Sequence, residues 1–193
     1  MIIAIIKYNA GNIRSVDFAL RRMGYDPVIT NDHSILKKAD KVIFPGVGEA
    51  RTTMRYLRDN GLDKLIRELK QPVLGICLGL QLLCSFSEEA DTECIGVFDI
   101  NIKKFGSKDK VPHMGWNSIH NLTGKILPDG MDGQYFYFVH SYYAPVCSYT
   151  SAITNYMNPF SSVLERNNFF ATQFHPEKSG KMGEKLLRTF ISI

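Results

Sequence analysis

Apolar residues fall in short runs through the first half of the chain, separated by polar stretches with helical spacing. Residues 2–6 form a β-branched run that ends at the turn-like Asn9-Ala10-Gly11-Asn12. Ile13, Val16, Leu20 and Met23 then share one helical face, and Gly24 closes that helix. Residues 26–30 predict a second strand before the polar Asn31-Asp32-His33-Ser34. Lys41–Phe44 predicts a third, ended sharply by Pro45-Gly46-Val47-Gly48. Leu62, Leu65, Ile66 and Leu69 mark a further helix, residues 72–76 a strand, and residues 78–86 a buried helix. Strand and helix alternating at this spacing predict a parallel sheet covered on both faces.

The texture changes near residue 95. Strand-like runs at 96–105, 115–120, 134–139, 161–166 and 169–174 follow one another with little helix between them. They predict antiparallel hairpins added to the parallel sheet. Met182, Leu186, Leu187 and Phe190 then mark a last helix. With no internal repeat, low-complexity tract or linker, the expectation is an α/β fold in one domain spanning residues 1–193.

Charge narrows the function classes. The 23 Lys and Arg exceed the 19 Asp and Glu by 4, a mild excess. Pairs such as Arg21-Arg22, Lys37-Lys38 and Lys103-Lys104 are scattered and read as solvated faces, the alternative being a patch for a phosphorylated ligand or acidic partner. No basic stripe is interleaved with aromatics, so nucleic acid is not an expected partner. The opening apolar run is too short for a signal peptide. Residues 73–84, broken by Gly75, Gly79 and Gln81, fall short of the ~18 to 20 needed to cross a bilayer. No membrane partner is expected, and the expected location is cytoplasmic. The four cysteines, at 77, 84, 94 and 147, contain no Cys-x-x-Cys pair. Neither zinc nor a disulfide framework suits that spacing, and no metal or cofactor is expected.

Candidate chemistry centres on Gly75-Ile76-Cys77-Leu78-Gly79, which follows a predicted strand and opens a predicted helix. Glycine-x-nucleophile-x-glycine in that context is the pattern of a nucleophile elbow. A helix starting after Cys77 sets positive dipole and free N–H groups beside the sulfur and stabilises negative charge there. The Leu78 N–H is a candidate oxyanion donor. The alternative is a small buried cysteine at a strand end. Cys84, on the same predicted helix, reads as core; Cys94 and Cys147 lack the flanking glycines. Two of the five histidines compete as base. His140 ends an aromatic strand, and His175 begins His175-Pro176-Glu177, where Glu177 can accept the second imidazole N–H. His33 and His120 read as surface residues. Pro45-Gly46-Val47-Gly48 offers a second backbone donor, or is an ordinary strand-to-helix turn.

Together these motifs resemble the class I, or triad, glutamine amidotransferases. Gly75-Ile-Cys-Leu-Gly-Leu-Gln-Leu-Leu83 is similar to the family's nucleophile signature, and Gln173-Phe-His-Pro-Glu177 to its His/Glu signature. Tyr8-Asn-Ala-Gly-Asn-Ile-Arg-Ser15, Pro112-His-Met-Gly-Trp-Asn117, Tyr137-Phe-Val-His-Ser-Tyr142 and His175-Pro-Glu-Lys-Ser179 resemble further signatures of one branch, and the likeness runs the length of the chain. The resemblance implies a flavodoxin-like, mostly parallel sheet with helices on both faces and added antiparallel strands. It also implies glutamine hydrolysis through a γ-glutamyl thioester, with Cys77 as nucleophile, His175 as base and Glu177 as its orienter. Val47, Gly48 and Leu78 would form the oxyanion site, and Gly46, Gly48, Gln81, Ser141 and Tyr142 would bind L-glutamine. Asn12, Trp116 and Asn117 would face a (β/α)₈-barrel cyclase on a separate chain, completing a heterodimer. Lys7, where the branch commonly has an acidic residue, and Glu49-Ala50, where Ala-Phe is common, depart from the pattern. Branches serving other synthases, and a stand-alone cysteine hydrolase of γ-glutamyl compounds, are the competing readings.

Overall fold

The computed structural model describes residues 1–9, 12–107 and 110–193, so Ala10-Gly11 of the expected first turn lie outside the described residues. The chain begins β1 (Ile3–Ile6), α1 (Ile13–Arg22), β2 (Val28–Thr30), α2 (His33–Lys38), β3 (Lys41–Phe44), α3 (Ala50–Asp59), α4 (Leu62–Glu68), β4 (Val73–Ile76) and α5 (Leu78–Leu83). It continues through β5 (Cys84–Ser87), β6 (Thr92–Glu93), β7 (Phe98–Lys104), β8 (His113–Ser118), β9 (Tyr135–His140) and β10 (Tyr142–Pro145). It ends with β11 (Thr150–Tyr156), β12 (Asn158–Arg166), β13 (Phe169–Thr172), a 3₁₀ turn at Pro176–Lys178 and α6 (Gly180–Ser192).

Every residue of β1, β3, β4 and β13 is buried, because each strand has helices on both sides. Side chains alternate across the sheet. Ile3 and Ile5 join Val16 and Leu20 of α1 and Leu187 and Phe190 of α6, whereas Ala4 and Ile6 join Leu36, Leu57, Leu62 and Ile66 of α2 to α4. The order β2-β1-β3-β4-β13 is parallel throughout, the doubly wound arrangement in which ligands bind beyond the carboxyl ends of the strands. From β13 the sheet continues as β12-β10-β7-β5-β6, antiparallel except for β5 on β7, while β8 and β9 pair as a separate two-stranded sheet.

Several expectations need correction. The helix expected over 78–86 stops at Leu83, and Cys84 is extended. The returning segment supplies the reason: Ile95, Val97 and Gly96 donate their N–H groups to the carbonyls of Leu82, Leu83 and Cys84, at 2.8, 2.8 and 2.7 Å. Cys84 is fully buried as expected, but on a strand rather than a helix. The polar Asn31 to Ser34 stretch holds a helix start, since Asp32 accepts from the N–H groups of Ser34 and Ile35. Helix α3 was expected only through the alternative reading of Pro45 to Gly48 as a strand-to-helix turn, and without bounds; Glu49 caps it by accepting from Arg51 and Thr52. The most consequential difference is β13, expected in a hairpin. It pairs antiparallel with β12 but also lies parallel beside β4, Thr172 opposite Ile76. Among the described residues, no helix is long and apolar enough to cross a membrane.

Candidate active site

At the carboxyl end of β4 the chain makes a strained turn. Cys77 has φ +53° and ψ −104°, outside the regions that side-chain-bearing residues ordinarily occupy. Its N–H is held by the Thr172 carbonyl of β13 at 2.7 Å, and α5 starts at the next residue. Both flanking glycines are required by close approach. A Cβ on Gly79 would stand 2.1 Å from the Phe44 carbonyl oxygen, and one on Gly75 would stand 2.7 Å from Leu83 Cδ1.

The parallel pairing of β13 with β4 brings the second motif alongside. His175 follows β13, and its backbone N–H donates to the Tyr137 carbonyl of β9 at 2.9 Å. Its Nδ1 meets Glu177 Oε1 at 2.8 Å, with both side chains buried. The carboxylate accepts, so Nδ1 carries the proton and Nε2 is left buried, without a nitrogen or oxygen partner among the described residues. Burial opposes charge on this imidazole, yet the Cys77 sulfur and the Glu177 carboxylate outweigh it and push His175 up to about 10.

His140, the competing base, is differently placed. Its Nδ1 meets the Tyr142 carbonyl at 2.7 Å and its Nε2 meets His113 Nδ1 at 3.0 Å. Burial pushes it down to about 3, and among the described residues no carboxylate contacts it. His33 is exposed, as expected, with Nε2 2.9 Å from the Asn60 carbonyl. His120, expected at the surface, is half-buried, its Nε2 2.8 Å from Ser118 Oγ.

A cavity of about 310 Å³ opens over the sulfur, lined by Val47, Gly48, Cys77, Leu78, Gln81, Ser141 and Tyr142 among others. Gly46 does not line it; it is wedged behind Leu78, where an added Cβ would come within 2.6 Å of the Leu78 Cβ. The expected oxyanion donor at Leu78 points at the Gly46 carbonyl, at 3.4 Å. The Gln81 amide donates to the Tyr142 carbonyl at 3.1 Å and to Gln173 Oε1 at 3.4 Å, and the Gln173 amide donates to the Cys77 sulfur at 3.8 Å.

Three residues expected at a partner face divide. Trp116 is 56% exposed on the β8–β9 hairpin. The Asn12 amide instead donates to Glu177 Oε1 at 2.7 Å, and the Asn117 amide turns inward to His113 and the Asn155 carbonyl. Sequence reasoning missed Glu89, which also lines the cavity and accepts the Ala50 N–H at 2.8 Å. Burial raises its pKa, with adjacent Glu49 adding to the effect against the Ala50 hydrogen bond. Nothing in Glu88-Glu89 signals which carboxylate turns inward. Among the described residues, no three His, Cys, Asp or Glu side chains converge to hold a metal ion.

A model of the class-I glutamine amidotransferase family matches residues 5–193, and the chain belongs to that family. Among its relatives is the imidazole glycerol phosphate synthase subunit HisH of Bacteroides fragilis, 56% identical over 196 residues and covering all of both chains. The subunit of the same name from Yersinia pestis is 46% identical over 198 residues, again covering both chains completely. A solved glutamine amidotransferase superposes with a TM-score of 0.76 at 17% identity, covering 98% of this chain and 97% of its own, a likeness of fold.

Proposed function

We propose that this chain is the glutaminase subunit of an imidazole glycerol phosphate synthase, a single cytoplasmic domain that releases ammonia from L-glutamine. The observation that carries the chemistry is a cysteine on a strained elbow, with a buried His–Glu pair held beside it by the neighbouring parallel strand. The full-length HisH relatives support the choice of synthase.

In the proposed reaction the Cys77 thiolate attacks the glutamine amide carbon, and the carbonyl electrons move onto oxygen. Val47, Gly48 and Leu78 N–H groups are the donors for that oxyanion. Protonated His175 gives its proton to the departing nitrogen, and ammonia leaves a γ-glutamyl thioester. Neutral His175 then takes a proton from water, whose oxygen attacks the thioester and releases glutamate and the thiolate. Glu177 holds the imidazole tautomer throughout. Glu89 supplies the negative charge for the substrate α-ammonium, while Gln81, Ser141, Tyr142 and Gly48 line the rest of the cavity and Gly46 shapes it from behind. Ammonia passes to a (β/α)₈-barrel cyclase on a separate chain, for imidazole ring formation in histidine biosynthesis.

The test is peptide mapping after reaction with a glutamine-analogue affinity label, alongside hydrolysis of glutamine and of γ-glutamyl peptides. Labelling at Cys77 with preference for glutamine is expected; labelling at Cys84, Cys94 or Cys147 with Cys77 spared defeats the reading. Glu89→Gln is expected to raise KM for glutamine about ten-fold or more through loss of a charged contact, and an unchanged KM removes Glu89 from the site.

A further inference from the structure

The β8–β9 hairpin carries two buried imidazoles that the proposed chemistry does not use. His113 and His140 face each other in register, 4% and 5% exposed, within a box of Phe105, Phe138, Tyr156 and Phe160. Their hydrogen bonds have only one consistent direction. The Tyr142 carbonyl can only accept, so His140 Nδ1 at 2.7 Å carries a proton and donates it. A neutral His140 then accepts at Nε2, so His113 Nδ1 donates across the 3.0 Å contact. His113 Nε2 must in turn accept, and the Asn117 amide nitrogen at 3.2 Å donates. That amide is itself fixed: its oxygen accepts the Ser118 N–H at 2.8 Å, and its nitrogen also donates to the Asn155 carbonyl at 3.0 Å. Adding a proton to either ring sets two donors against each other, here or at Asn117.

The chain ends on a functional atom. The Tyr142 carbonyl also takes the Gln81 amide at 3.1 Å, and the adjacent Ser141 carbonyl takes the Phe105 N–H at 3.0 Å. The carbonyls of Ser141, which links β9 to β10, and of Tyr142, the first residue of β10, are thereby pinned while both residues line the cavity. The hairpin belongs to a sheet of its own, whose outer side presents exposed Met114 and Trp116, so the imidazole pair ties that hairpin to the cavity wall.

We propose that His113 and His140 are positioning residues, a tautomer-locked pair of neutral imidazoles that orients the Tyr142 carbonyl and the glutamine-facing wall from the β8–β9 hairpin. The proposal rests on the glutaminase reading of the cavity, and its tests separate the two. Nitrogen-15 NMR of the imidazoles in the full chain near neutral pH should show both rings singly protonated at Nδ1. An Nε2-protonated or doubly protonated ring at either position overturns the lock, whatever the protein hydrolyses. In kinetics with the partner subunit, His113→Phe keeps the ring stacking and removes the donor. It should raise KM for glutamine about ten-fold while kcat stays within about three-fold, the order expected for one buried hydrogen bond. His113→Asn restores a donor near the Nδ1 position and should bring KM most of the way back. Equal KM values for the Phe and Asn variants at matched melting temperatures overturn the positioning role. If His113→Phe fails to fold, His140→Phe, which removes the donor to Tyr142, is expected to raise KM about ten-fold with kcat within about three-fold, and an unchanged KM overturns the positioning role. A wild-type complex with the partner subunit that is inert toward glutamine defeats the glutaminase reading, and the NMR result still decides the lock.

Discussion

The charge on His175 sets the first prediction. Burial alone would lower this imidazole, so its rise from 6.5 to about 10 depends on the Cys77 sulfur and on Glu177. A raised folded-state value contributes stability that is complete below the unfolded value near 6.5 and is lost as pH climbs through about 10. Cys77→Ala removes the leading favourable contribution, so the His175 titration followed by NMR should fall well below the wild-type value; an unmoved titration breaks the proposed pairing. The same substitution should abolish glutamine hydrolysis, by about 10⁴- to 10⁶-fold as for other triad nucleophiles, with the fold and partner binding retained. His175→Asn should do likewise, Glu177→Gln should cost less, and His140→Asn should leave turnover largely intact; the reverse order would move the base to His140. Cys84 is the contrast, because full burial pushes its thiol well above the usual range and keeps it unreactive. The elbow and the His-x-Glu pair were legible in the sequence because each is a local pattern with a mechanical reason. Glu89 and the Asn12–Glu177 bond were not, since the first is one of two adjacent acids and the second joins residues 165 apart.

Packing of α5 against β3 gives the second prediction, at the scale of elements. Gly79 lets α5 start directly over the Phe44 carbonyl, and a methyl group there would lie 2.1 Å from a backbone oxygen that cannot rotate away. Gly79→Ala should therefore destabilise by about 3 kcal/mol or more, the upper end for overpacking, and displace Cys77 with it. Gly106→Ala, where nothing among the described residues lies within 4 Å of the added Cβ, should be close to neutral. Urea unfolding of the two variants checks this, and equal midpoints would mean that the close approach carries no strain. The same elements show which parts of the fold a pattern can reveal. Strands β1, β3 and β4 were readable because burial on both faces leaves short, mostly apolar runs, that of β3 following Lys41. Helix α3 was not, because in ARTTMRYLRD only Ala50, Thr53, Met54 and Leu57 are buried and its start depends on a Glu49 cap. The end of α5 was misread because hydrogen bonds from residues 95–97, not any local breaker, turn the chain into β5. The neighbour of β13 is likewise a fact of topology, and that pairing brings His175 to Cys77.

At the scale of the whole molecule the question is when the site should be active. A glutaminase working alone releases ammonia into water, where most of it is protonated and useless as a nucleophile, so control by a partner is expected. The loop at Gly46–Gly48, proposed to carry oxyanion donors, offers the means. The Tyr8 hydroxyl donates to the Pro45 carbonyl, and the Gly46 carbonyl faces the Leu78 N–H at 3.4 Å. In a trans peptide the N–H opposes the C=O, so the Val47 N–H points away from the side on which Leu78 lies. Turning the Gly46–Val47 peptide over would free Leu78 and present Val47 together, and Gly48, at φ +134°, gives the loop the backbone freedom to do it. Each missing donor is worth about 2.7 to 4 kcal/mol, or about 10² to 10³ in rate. Phe18 on α1 and Met114 and Trp116 on β8 are exposed at 61%, 66% and 56%, apolar side chains that a partner subunit would cover. The isolated chain should therefore hydrolyse glutamine poorly, and turnover should rise by at least 10² with the proposed barrel subunit and that subunit's own substrate bound. Steady-state hydrolysis by the isolated chain, the complex and the liganded complex measures this directly. Equal turnover in all three would remove the switch and make the chain a free-standing hydrolase.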